Sequence, residues 1–185
     1  MSIKSIKTGY TGISALAGNP AYGDFESIAT YAVTSGTTST ITFSSIPSTF
    51  QHLQIRGYVI TTSSGASPRI RFNSDSGSNY SQHQIYGDGG GAASTGSGSQ
   101  TFASIAITNG ATTSPTVDVV DILDYSNSNK NTTVRSLGGY DANGSGYVTF
   151  RSDGWFNTAV VTTIELTLTA GSFDTNTRFA LYGIR

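Results

Sequence analysis

Few side chains in this chain could act as acid, base or ligand, and they are scattered. The two histidines, His52 and His83, stand in none of the HxH, HExxH or HxxxH spacings that gather imidazoles around a metal. With no cysteine in the chain, two imidazoles make a poor ligand set, and both are read as surface residues. Asp118, Asp121 and Asp124 recur at every third place. A strand of period two puts Asp121 on the face opposite the other two, so without a bulge the trio makes no carboxylate cluster. Exposure at an edge or loop is the expectation. Asp141-Ala142-Asn143-Gly144-Ser145-Gly146 sets oxygen ligands at alternate places before a glycine, as calcium loops do. The glutamate that closes such a loop is missing, since Glu26 and Glu165 are the only two. Asn143-Gly144 is also a favoured hairpin pair, which explains the motif without an ion.

Catalysis finds little support. A glycosidase needs two carboxyl groups about 5 to 9.5 Å apart, one of them with a raised pKa. Here the aspartates sit among Asn, Ser and Gly, where turns want them, and no pair is framed by aromatics. A Ser-His-Asp triad would lack the GxSxG elbow. No enzyme activity, metal or cofactor is expected. Carbohydrate binding is the strongest small-ligand reading, because Tyr and Trp rings stack on sugar faces. Tyr125 beside Asp124, Tyr140, and Trp155 at the Trp155-Phe156 corner are its candidate contacts, although such rings also serve as core residues.

Short strands must position these groups. In His52 to Val59, Leu53, Ile55, Gly57 and Val59 point one way and His52, Gln54, Arg56 and Tyr58 the other, a half-buried strand. Turn formers at Ser63–Pro68 and Ser74–Ser78 then divide His52–Gly87 into an expected three-stranded antiparallel meander. Its apolar face needs a second layer. Further strands are expected at Glu26–Val33, Ser39–Ile46, Thr101–Thr108, Thr116–Tyr125, Lys130–Tyr140, Tyr147–Arg151, Val160–Thr169 and Arg178–Ile184. The stretch Asp88–Gln100, DGGGAASTGSGSQ, has no core residue and is expected to be a mobile exposed loop. No helix pattern follows it, so it does not suit a phosphate loop. About nine to eleven short strands with almost no helix predict an all-β antiparallel β-sandwich, jelly-roll-like, with a closed barrel second.

Residues 1–24 read differently. Ile3, Ile6, Tyr10, Ile13 and Leu16 recur at intervals of three and four, yet Gly9, Gly12 and Gly18 oppose a helix. Asn19-Pro20 with Gly23-Asp24 looks like a hinge. The expectation is an extended N-terminal arm, 1–24, that lays those five apolar residues on a partner, ahead of one sandwich domain, 25–185. Folding back on its own domain is the other reading. Lys4 and Lys7 loosely suggest a secretory signal, but Thr8, Gly9, Thr11, Gly12 and Ser14 break its apolar region.

Composition narrows the partners. The 185 residues suffice for one core without a disulfide. The net charge is −1 with 11% charged residues, so no basic field favours nucleic acid or an anionic membrane. No apolar run of about 18 residues is present to cross a membrane. Where most surfaces use Lys and Glu, this one uses Ser, Thr, Asn and Gly, a weakly charged coat that favours packing many copies together; an all-β domain with many loops explains the same composition equally well.

Several stretches carry a family resemblance: Leu16–Pro20 (LAGNP), Phe25–Thr30 (FESIAT), Ser45–Gly57 (SIPSTFQHLQIRG), Asp121–Tyr125 (DILDY) with Asn129-Lys130, and Phe179–Ile184 (FALYGI). They resemble virion structural proteins of tailed bacteriophages, including those of cyanobacteria. The resemblance implies a capsid decoration or cement protein, or a tail or neck component, and brings no catalytic residue. The expected partners are the major capsid protein or other virion proteins and further copies of the chain. The expected location is the virion, assembled in the host cytoplasm. A tail- or fibre-associated module binding host-surface carbohydrate is the alternative.

Overall fold

The structure, a computed structural model, describes residues 24–110 and 113–185. The arm residues Ile3, Ile6, Tyr10, Ile13 and Leu16 lie outside them. Fourteen strands and no helix occur among the described residues. β1 (Phe25–Ala32), β2 (Thr37–Thr38), β3 (Ile41–Phe43) and β4 (His52–Val59) come first. β5 (Pro68–Phe72), β6 (Tyr80–Gly87), β7 (Ala92–Gln100), β8 (Ala103–Ser104) and β9 (Thr116–Leu123) follow. β10 (Thr132–Asp141), β11 (Gly146–Trp155), β12 (Ile164–Leu168), β13 (Phe173–Asp174) and β14 (Arg178–Ile184) complete the series.

They form an antiparallel sandwich of unequal layers. The wide layer has eight strands in the order β1-β14-β4-β9-β10-β11-β6-β7. The narrow layer has four, β3-β12-β5-β8, with β13-β2 as a separate pair. Alternation explains the core between them. Leu53, Ile55 and Val59 of β4, Val120 and Ile122 of β9, and Phe179 and Leu181 of β14 belong to one buried cluster with Ile41, Phe43, Ile70, Phe72, Ile164 and Leu166 of the narrow layer.

Three expectations change. Residues His52–Gly87 do not form a meander: β4 and β6 lie in the wide layer, while β5 pairs with β12 in the narrow one. Residues 60–67 and 73–79 carry the chain across the gap and back, the repeated layer crossing of a jelly-roll-like path. Asp88–Gln100 is not a loop throughout. The Asp88 carboxylate accepts from the Gly90 and Gly91 amides at 2.9 and 3.1 Å, closing a turn, and Ala92–Gln100 then pairs with β6 as the wide layer's last strand. It lacks core residues because no second layer reaches it. Of the expected strand Thr101–Thr108 only Ala103–Ser104 is paired as a strand, and short pieces such as β2 and β13 raise the count above eleven.

Trp155 closes one end of the core. It is 1% exposed, packs 5.4 Å from Phe72 and 6.3 Å from Tyr80, and donates from Nε1 to Asp75 Oδ2 at 2.7 Å. Tyr125 is fully buried, its hydroxyl donating to the Pro47 carbonyl. Trp155→Ala is expected to cost about 3–5 kcal/mol of stability through the cavity it leaves. Urea unfolding followed by far-ultraviolet circular dichroism measures this, and a loss below about 1 kcal/mol would contradict the packing described.

Candidate functional site

Apolar side chains of a half-buried strand normally face the core. Over part of the wide layer that polarity is reversed. Along β9, Thr116 and Asp118 are buried while Val117 and Val119 are exposed; further on, Val120 and Ile122 are buried and Asp121 faces out. The register of β9 with β4 and β10 runs without a shift, so the reversal comes from the adjacent valines Val119 and Val120 and not from a bulge. In β11, Thr149, Arg151 and Asp153 are buried, and Val148 and Phe150 are exposed.

The outward apolar residues line up. Val119 lies opposite Leu137, Leu137 opposite Phe150, and Phe150 opposite Ile85, a row crossing four strands. The adjacent row holds Tyr58, Val117, Gly139 and Val148. Their large side chains are 41–61% exposed. Gly139 shapes the surface: with φ +154, a Cβ there would sit 1.9 Å from the Tyr147 carbonyl oxygen. An open trough of about 810 Å³ lies over Val117, Leu137, Gly139 and Val148. A second concavity, about 680 Å³, lies over Ile85, Phe150 and His83. On the other flank Gln54, Asp121, Arg135 and Ser152 form a polar row. Gln54 donates to Asp121 at 2.8 Å, Arg56 donates to Gln54 at 3.0 Å, and Arg135 donates to Ser152. An apolar centre with a hydrogen-bonded polar border is the anatomy of a protein interface.

Beneath this face lies the polar half of the interior. Asp153 Oδ2 accepts from the Ser104 amide at 2.6 Å, and Arg151 donates to Gln84. Asp118 is 3% exposed and neither carboxyl oxygen has a hydrogen-bond partner. Burial pushes its pKa up to about 7, opposed only by the Ala106 amide and the Arg151 charge. Burial likewise raises Asp153 to about 6 against the Ser104 amide and Arg151. Gly138 stands over Asp118, where a Cβ would meet Oδ1 at 1.9 Å.

The residues singled out by the sequence do not converge. His52 accepts the Asp124 amide on Nδ1 at 3.0 Å, and Asp124 pairs with Lys130 at 2.6 Å. His83 is four strands away from His52 in the wide layer, about 19 Å. Among the described residues, no three His, Asp or Glu side chains gather as metal ligands. Asp141–Gly146 is the β10–β11 hairpin: Asn143 and Gly144 take φ 56° and 104°, and Asp141 accepts the Asn143 amide at 2.8 Å. Two candidate sugar contacts are corrected, since Tyr125 and Trp155 are buried and offer no ring face. Tyr140 is half-buried at the end of the trough. Asp118 is corrected too, from surface to interior. The outward rows were missed, because each strand's valines fit an inward face equally well.

No family model, no curated protein and no solved structure matches the chain.

A carboxyl whose pKa is higher folded than unfolded holds its proton more tightly in the native state. Asp118 and Asp153 therefore favour the fold at low pH and lower its stability as pH rises from about 4 to about 7. Unfolding free energies from urea titrations at pH 5 and pH 8 should differ by about 2–4 kcal/mol in favour of pH 5. Asp118→Asn should remove most of the slope, and an unchanged slope in that variant would refute the assignment.

Proposed function

We propose that this chain is a virion structural protein of the capsid decoration or cement kind. It binds a shell protein through the outward face of the wide layer and works without a chemical step. The observation that carries the reading is the pair of apolar rows, Val119-Leu137-Phe150-Ile85 and Tyr58-Val117-Val148, exposed at the centre of a sheet and bordered by polar side chains. Solvent does not reward such an arrangement, whereas a partner surface does. The resemblance of FESIAT, SIPSTFQHLQIRG, DILDY and FALYGI to tailed-phage virion proteins supplies the setting. The neutral Ser/Thr surface suits a protein repeated over a lattice, where many weak contacts add by avidity and occupancy stabilises the shell by mass action. Ile3, Ile6, Tyr10, Ile13 and Leu16 are the second proposed contact.

Leu137→Glu and Phe150→Glu test the face. Both side chains point outward and are half-exposed, so the fold should tolerate either change. A charge at an interface centre costs about 2 kcal/mol or more, so the protein concentration giving half-maximal occupancy of the particle should rise at least roughly tenfold. Quantitative mass spectrometry of particles titrated with each variant reads this midpoint. Wild-type occupancy in both variants would remove the face from the interface.

A further inference from the structure

Among the described residues the wide layer ends at β7, which pairs there with β6 alone. Its pairing is regular from Ala92 opposite Gly87 to Ser97 opposite Gln82, and an irregularity follows near Ser99, which has φ 55°. Among the described residues the outer edge of that run carries backbone N–H and C=O groups with no partner strand. Natural edge strands are usually blunted by charge, proline, a bulge or shortness. Residues 92–97, Ala-Ala-Ser-Thr-Gly-Ser, have no charge and no proline, and every one is exposed. The opposite edge is protected differently: β1 has a register shift between Ser27 and Ala29 and carries Glu26, paired with Arg185 at 3.4 Å.

We propose that β7 pairs antiparallel with β7 of a second copy about a twofold axis perpendicular to the sheet, making one sheet continuous across a dimer. Three features select a second copy as occupant. A neutral strand of small residues meets itself without repulsion or clash: with the axis at Thr95, Thr95 faces Thr95, Ser94 faces Gly96 and Ala93 faces Ser97. The nearest charge, Asp88, lies in the preceding turn, so an antiparallel arrangement sends the two copies of it to opposite ends. The same axis keeps both outward faces on one side. The row that reaches Ile85, one strand from the edge, then continues toward its counterpart in the neighbour. The inference concerns an edge and not the face assigned to the shell, so either can fail alone.

Native-state hydrogen exchange on the full-length chain tests the pairing, alongside sedimentation equilibrium. In a lone edge strand alternate amides point to solvent and exchange fast; in a strand paired on both sides all are slowed. The expected result is a dimer in which every amide from Ala93 to Ser97 is protected. The doubly substituted variant Ser94→Lys, Thr95→Lys, at exposed positions, should be a monomer in which alternate amides of β7 exchange at least tenfold faster while β9 and β10 stay protected. Three results would overturn the proposal. One is a dimer whose alternate β7 amides remain fast, another is complete protection in a monomer, and the third is a dimer that survives both lysines.

Discussion

The structure turns on how the narrow layer ends. Residues 103–108 form its last edge, bonded to the β5 side through the Ile105 amide to Pro68 and the Thr108 amide to Ala66. The intervening amides, Ser104 and Ala106, face away from that ladder and into the sandwich. Buried amides need acceptors, and none is available from another strand. Asp153 accepts from Ser104 at 2.6 Å, while the Ala106 amide lies on the Asp118 side without making a hydrogen bond to it. A carboxylate is thereby called for on the inner face of β11, and a second one sits beside it on β9, in the region where a wider second layer would have placed Val or Ile.

Period-two geometry carries that requirement to the other surface. If Asp118, Arg151 and Asp153 point inward, then Val117, Val119, Val148 and Phe150 point outward, because a strand has only two faces. The interior thus pays in desolvation: Asp118 and Asp153 are held with raised pKa values, and Arg151 Nε, Ser136 Oγ and both Asp118 oxygens lack hydrogen bonds. A sequence optimised only for stability would exchange the two faces. Keeping the polar set inside and the apolar set outside makes sense where the outer surface is used.

Much of the core was readable from alternation. β12 shows Ile164, Leu166 and Leu168 buried between half-buried Glu165 and Thr167, and β14 has the limits its apolar run suggests. The Asn143-Gly144 turn was readable because positive φ at two successive places admits few residues. Other features left no local trace. The partner of β4 is set by chain crossings, which residues 60–67 do not encode as a pattern. β7 is held by backbone bonds that Gly and Ser make as well as any residue. The outward rows appear only when the registers of β9, β10, β11 and β6 are combined, and the nearest local sign is the doubled valine at Val119-Val120.

Unequal layers also divide labour within one domain. Where β14, β4 and the Val120–Ile122 half of β9 meet the narrow layer, apolar packing fills the space with Leu53, Ile55, Phe179 and Leu181 fully buried, and this half supplies the cohesion. Toward β11, β6 and β7 the cover thins to one strand edge and then to nothing, so beyond the Trp155-Tyr80-Phe72 packing at one end, cohesion comes from ladder bonds and the buried polar cluster. That half is the one whose outer surface is apolar and whose edge is unguarded. A partner laid on it would exclude water from the Leu137-Phe150-Ile85 row and stiffen the strands that the second layer leaves uncovered. Under the proposed function, the surface that binds is also the part of the sheet with most stability to gain from being bound, so that assembly would complete the fold.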